Sequence, residues 1–207
     1  MKKLLASLCT VVLGACGGGA DNTANSTAAI FGDSITEYTD SALFTTLKVP
    51  VANLATSGET TTNAISGTKT FGGYSLKYST FEQEIRKPYS VIYLRYGMAE
   101  AVHAYHNRTT PHIFKSNLEY MVDLVKQQNK IPVIVGVSYS FNQYEDTAIL
   151  LNGIAWMVAQ QTGTQFVNVR NIKAQAQDVP DGIHPTAEYG QKMIEYIAAE
   201  TSHLFIK

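Results

Sequence analysis

Ala28-Ala29-Ile30-Phe31-Gly32-Asp33-Ser34-Ile35-Thr36-Glu37 runs an apolar strand into a helix start, with Gly-Asp-Ser at the junction. Ser34-Ile35-Thr36-Glu37 has the spacing of a capping box, so a helix is predicted to begin there. A serine at a strand-to-helix turn exposes its hydroxyl and its amide at the top of a sheet. Near the other end of the chain, Asp181-Gly182-Ile183-His184-Pro185 stands just before the last predicted helix. A serine hydroxyl is a weak nucleophile at neutral pH. It needs an imidazole to take its proton, and the imidazole needs a carboxylate to fix its tautomer. Ser34, His184 and Asp181 supply those three parts.

Between these two segments, apolar runs at 28–31, 49–54, 91–96, 131–137 and 166–169 alternate with helical patterns. That alternation predicts a parallel sheet with helices on both faces. Thr110-Pro111 supplies an N-cap and a first-turn proline to a helix whose buried stripe is Phe114, Leu118, Met121, Val122 and Val125. A second stripe, Leu150, Ile154, Met157, Val158 and Gln161, runs up to the stop signal Gly163. A third, Tyr189, Met193, Tyr196 and Ile197, marks the last helix. Three stretches lack periodicity and read as loops: 57–80, 98–110 and 139–144. Each follows a strand, where open parallel sheets bind their ligands. Tyr74, Tyr78, Tyr139 and Tyr144 fall in these loops and are expected around the serine.

The 207 residues, 45% hydrophobic and 16% charged, suit one well-buried domain, assigned to 28–207. Residues 1–15 read as a secretory signal, with Lys2 and Lys3 ahead of the apolar run 4–13, which is too short to span a bilayer. Leu13-Gly14-Ala15-Cys16 resembles the lipobox of bacterial lipoproteins. That resemblance implies a diacylated Cys16 as the new N-terminus, on a Gly/Ala/Asn/Thr/Ser-rich tether that extends to residue 27. Neutral Gly17 after the cysteine points to the outer membrane of a bacterial envelope.

Loss of Lys2 and Lys3 with the signal leaves 14 basic residues against 17 acidic and a net charge of −3, with no long run of either sign. This excludes the electrostatic footprint of a nucleic-acid binder. Cys9, the other cysteine, leaves with the signal, so no disulfide is expected.

Taken in order along the chain, three blocks resemble the SGNH (GDSL) hydrolase family. Gly32-Asp33-Ser34-Ile35 is similar to its first block, Asn53-Leu54-Ala55-Thr56-Ser57-Gly58-Glu59-Thr60 to its second, and Asp181 to Pro185 to its fifth. The resemblance implies a flavodoxin-like three-layer α/β/α sandwich with a five-stranded parallel sheet, and a serine esterase or acylhydrolase with no cofactor or metal. It implies Ser34 as nucleophile, His184 as general base and then acid, Asp181 as the orienting carboxylate, and the amides of Ser34 and Gly58 as oxyanion donors. No Gly-x-Ser-x-Gly elbow occurs, which disfavours the α/β-hydrolase route to the same chemistry.

The third block departs from the family. Gly97-Met98-Ala99-Glu100 stands where Gly-x-Asn-Asp is expected, so Ala99 occupies the place of the third oxyanion donor. One lost donor costs roughly 10² to 10³ in rate. Asn63 and Asn142 are the candidates to replace it, and Ala99→Asn is expected to raise turnover. Glu100, His103, His106 and His112 invite a metal reading, but match no established ligand pattern, and contact with substrate fits them better.

The expected substrate is a small-molecule, glycan or lipid ester. Polar loops without a long apolar groove favour short acyl groups such as acetyl on envelope glycans. The alternatives are a lysophospholipase, lipase or thioesterase of the same family, and a non-catalytic surface binding protein on a decayed scaffold.

Overall fold

The computed structural model describes residues 27–39, 47, 49–71 and 74–205. The signal, Cys16 and all of the tether but Thr27 lie outside them. Strands β1 (Ala28–Gly32), β2 (Val51–Asn53), β5 (Val91–Arg95), β6 (Ile131–Val135) and β7 (Gln165–Val167) form one sheet in the order β2-β1-β5-β6-β7, every pair parallel. Every residue of β1 and β5 is buried, as central strands covered on both faces must be.

The helices are α1 (Ser34–Tyr38), α2 (Thr61–Ser66), α3 (Phe81–Glu84), α4 (Met98–Tyr105), α5 (Pro111–Gln127), α6 (Glu145–Thr162) and α7 (Ala187–Thr201). The steps from β5 to β6 and from β6 to β7 run in one direction across the sheet, and the step from β1 to β2 runs in the other. With crossovers of one hand, α5 and α6 therefore cover one face and α1 the opposite one. There α7 joins α1: Tyr93 Oη on β5 meets Thr201 Oγ1 on α7 at 2.8 Å. This is the expected three-layer sandwich.

The α5 stripe is buried throughout, with Thr110 as N-cap. On α6 the phase differs from the expected stripe. The buried residues are Ala148, Leu151, Ala155, Val158 and Ala159, while Leu150 is half exposed. Alanines fill the contact with neighbouring helices, so the larger side chains misreport the inward face.

Two of the three expected loops carry regular structure. Segment 57–80 holds α2 and an antiparallel hairpin, β3 (Thr68–Phe71) with β4 (Tyr74–Lys77), and α4 lies within 98–110. Helix α2 is one polar turn and a half, closed by a capping box in which Thr60 and Asn63 exchange hydrogen bonds, and it shows no apolar stripe. Helix α4 buries Met98, Ala99, Glu100 and Ala101 in succession, which removes the 3.6-residue signal.

Candidate active site

The sheet order reverses direction at the junction of β1 and β5, where crevices open in folds of this kind. The chain leaving β1 turns there through Gly32 and Asp33. A Cβ on Gly32 would lie 2.3 Å from Thr36 Oγ1 and 2.4 Å from the Arg95 carbonyl, so only glycine lets the two strand ends approach. Asp33, not Ser34, is the N-cap of α1, and the predicted capping box is absent. The Asp33 carboxylate accepts from the Ile35 amide, and its other oxygen accepts from the Met98 and Ala99 amides, each at 3.1 Å. It thereby ties the loop after β1 to the start of α4. Burial raises its pKa, against those amide bonds and the nearby Arg95 guanidinium.

Freed from capping, the Ser34 hydroxyl faces His184 at an Oγ–Nε2 distance of 2.8 Å. On the other side of the ring, His184 Nδ1 lies 2.6 Å from Asp181 Oδ2. Asp181 also accepts from the amides of Ile183 at 2.8 Å and His184 at 2.6 Å, so the carboxylate sets the turn that presents the ring. Partial burial pushes the Asp181 carboxyl up, but the hydrogen bonds from the His184 ring and the two amides outweigh it and bring the pKa to about 2. The turn is held from below, because the Gly182 carbonyl accepts from Ser140 Oγ at 2.7 Å and from the Phe141 amide at 2.9 Å. The Tyr38 ring stands edge-on to the imidazole, with centroids 5.8 Å apart.

Gly58 takes a left-handed φ of 65° at the third position of the turn closed by the Glu59 amide on the Thr56 carbonyl, a site that requires glycine. The Ser57 carbonyl accepts from Lys69 Nζ, which reaches over from the hairpin. Neither the Ser34 amide nor the Gly58 amide has a hydrogen-bond partner among the described residues. Both residues line a cavity of about 130 Å³, with Met98, Ala99, Val102, His103, Ile183 and His184 completing it. A larger cavity of about 260 Å³ behind the second loop includes Glu59 and Tyr78 but not Ser34. The reacting groups are absent from it, so the smaller cavity is the candidate site.

Ser34, Gly58, Ala99, Asp181 and His184 thus come together. The two candidate replacement donors do not join them. Asn63 is spent in the α2 cap and on the Thr68 carbonyl, and Asn142 accepts from Ser140 Oγ and the Tyr144 amide beneath the histidine turn. The Ala99 amide is taken by Asp33.

Among the described residues, none of the expected tyrosines lines the cavity. Tyr139 donates to the Arg170 carbonyl, Tyr144 packs against Tyr105 and His106, and Tyr78 borders the larger cavity. The side chain of Tyr74 lies outside the described residues.

The acidic and histidine cluster is dispersed. Glu100 is buried against the Thr61 amide, His106 packs on aromatic rings, His112 is exposed on α5, and only His103 lines the cavity. Among the described residues, no group of three or more His, Cys, Asp or Glu could hold a metal. Met98, Val102, Ile183, Tyr38 and Lys69 are the neighbours that sequence reading missed. Met98 and Val102 carry a signal, being four residues apart on one helix face.

No protein-family model matches the sequence, and no curated protein matches it. Solved structures do. Axe2, an acetylxylan esterase from Geobacillus stearothermophilus, is similar with a TM-score of 0.68 at 13% identity, over 88% of this chain and 96% of that one. A GDSL-like lipase from Bacteroides thetaiotaomicron VPI-5482 is similar with a TM-score of 0.69 at 16% identity, over 88% and 90%. LAE5, an alpha/beta hydrolase enzyme from the metagenome of Lake Arreo, Spain, gives 0.70 at 14%, over 88% and 97%. The chain has the fold of these proteins.

Proposed function

We propose that the protein is a serine esterase of the SGNH (GDSL) type that hydrolyses carboxylic esters through an acyl-enzyme. One observation carries the reading: Ser34 Oγ, His184 and Asp181 are linked in series at 2.8 and 2.6 Å, at the mouth of a cavity shared with two unpaired amides. His184 Nε2 takes the hydroxyl proton as Ser34 Oγ bonds to the ester carbon, and the carbonyl electron pair moves onto oxygen. The amides of Ser34 and Gly58 stabilise that oxyanion. The His184 proton then passes to the departing alcohol, and water attacks the acyl-enzyme by the same sequence. Asp181, held near pKa 2, stays ionised and stabilises the imidazolium.

The small cavity favours a short acyl group, and the likeness to an acetylxylan esterase favours acetyl on a glycan. A panel of p-nitrophenyl esters from acetyl to palmitoyl tests this, alongside labelling by a fluorophosphonate with the adduct mapped by mass spectrometry. We expect fastest turnover on acetyl and a label on Ser34. Preference for long chains would move the reading to a lipase, and an unlabelled serine without turnover would leave a binding protein.

The sequence supports lipid anchoring through Cys16. Among the described residues no helix is long and apolar enough to cross a membrane. Mass spectrometry of the mature N-terminus decides, since an unmodified thiol there rules the anchor out.

A further inference from the structure

The third oxyanion donor is missing from the position where it is expected. Ala99 has no side-chain donor, its amide is engaged by Asp33, the Asn63 amide donates to the Thr68 carbonyl, and Asn142 does not line the Ser34 cavity. Among the described residues that line the Ser34 cavity, only one besides the triad carries a side-chain N–H, and that is His103. We infer that the His103 imidazole fills the oxyanion hole beside the Ser34 and Gly58 amides, in the place that Ala99 leaves open. The inference rests on the esterase reading and adds a catalytic residue to it.

Helical geometry supports the substitution. His103 is four residues after Ala99 on α4, so the two share a face about 6 Å apart along the axis. Side chains on a helix lean toward its N-terminus, which carries a ring at 103 back over the turn of Ala99 and toward Ser34. An imidazole spans that turn where an asparagine would have started from it. The His103 ring has no hydrogen-bond partner among the described residues, so its N–H is free for a ligand.

Its surroundings also fit a donor that does not give up its proton. Burial lowers the His103 pKa, and the neighbouring Arg108, His106 and Lys69 lower it further. A neutral imidazole can donate one N–H to the oxyanion while His184 alone moves protons. As Ser34 Oγ bonds to carbon and the carbonyl pair shifts to oxygen, the His103 N–H bond stays whole. The hydrogen bond to oxygen strengthens as charge develops and weakens when the carbonyl reforms.

The test compares wild type with His103→Ala, His103→Gln and His103→Phe on p-nitrophenyl acetate. Each is also titrated with methylboronic acid, which forms a tetrahedral adduct on the serine. His103→Ala should lower kcat by about 10²-fold with little change in KM, and weaken the boronic acid by a similar factor. His103→Gln, which keeps an N–H, should recover most of both. His103→Phe keeps the packing without the donor and should behave like alanine, which covers a His103→Ala variant that does not fold. Ala99→Asn placed in His103→Ala should restore at least a tenfold part of the loss.

Equal kcat and boronic acid affinity for His103→Phe and wild type would overturn the assignment, as would a His103→Gln variant no better than phenylalanine. An inactive wild type that takes no fluorophosphonate on Ser34 would instead overturn the esterase reading, and this inference with it.

Discussion

One part of the cavity lining, Ser34 with Ile183 and His184, stands at the start of α1 and in the turn before α7, and is fixed by short polar bonds from Asp33 and Asp181 to backbone amides. The other part, Gly58, Met98, Ala99, Val102 and His103, stands on segments that sequence periodicity does not show: the turn before α2 and α4. In the proposed reaction the first part carries the bond-making groups, and the second receives the charge that bond-making creates. Each can vary without the other, because the nucleophile and base need 2.8 and 2.6 Å contacts between named atoms, whereas an oxyanion accepts an N–H from any residue able to reach it.

The largest expected effect breaks the first part. Ser34→Ala removes the nucleophile and should lower kcat by about 10⁴ to 10⁶-fold on any ester the protein cleaves. Since Asp33 and not Ser34 caps α1, the thermal midpoint should move by less than a lost cap would bring, about 1 kcal/mol in stability. Steady-state kinetics with thermal unfolding checks both. A mutant with wild-type turnover would separate the Ser34–His184 contact from catalysis altogether.

This division also explains what was legible in the sequence. Asp181, His184 and Ser34 belong to short segments whose residues act on their own neighbours: Asp181 bonds the amides two and three residues ahead, and Asp33 the amide two ahead. Such local chemistry leaves a pattern in adjacent letters. The α5 stripe was readable for the same reason, since one face meets one core. By contrast, Lys69 reaches Ser57 across twelve residues through a hairpin whose Thr, Lys, Ser and Gly look like a loop. Glu100 reaches Thr61 across thirty-nine. Contacts of that range have no local pattern. Sequence spacing does not say whether Asn63 or Asn142 reaches the site, and both serve caps and turns, the commoner use of such residues.

A medium effect should distinguish the second part by pH. Burial raises the Glu100 carboxyl from 4.5 to about 7, opposed by the Thr61 amide bond, and burial raises Glu59 beside the Gly58 turn to about 7 as well. Glu100 Oε2 is buried without a partner among the described residues. Between pH 4.5 and 7 the folded state then holds protons that the unfolded state has released, so stability falls as pH rises through that window. The loss from Glu100 should be about 3 kcal/mol by pH 8. Asp181 acts in the opposite sense, its stabilising contribution being lost only as pH falls below 4 toward 2. Thermal midpoints measured from pH 5 to pH 8 should decline in wild type and decline less in Glu100→Gln, which cannot ionise. Parallel curves would show that Glu100 does not titrate in this range.

The smallest expected effect sharpens the comparison most. Read from sequence, Ala99→Asn restores a lost donor and should raise turnover by up to roughly 10² to 10³. With His103 already at the oxyanion, a second side-chain donor adds to a site that holds three, and the gain in wild type should stay below about tenfold. Ala99 is almost fully buried on α4, and its amide still binds Asp33, so the new side chain has to enter the cavity where the acyl group would sit. Its cost should therefore appear as a raised KM, growing from acetyl to butyryl esters. The same substitution in His103→Ala should act in the other direction, on kcat, because there it meets an unfilled hole. The quantity to measure is the ratio of the two kcat effects, a double-mutant cycle between positions 99 and 103. A ratio near one would place the two residues in independent roles, whereas a tenfold or larger ratio ties both to the same oxygen.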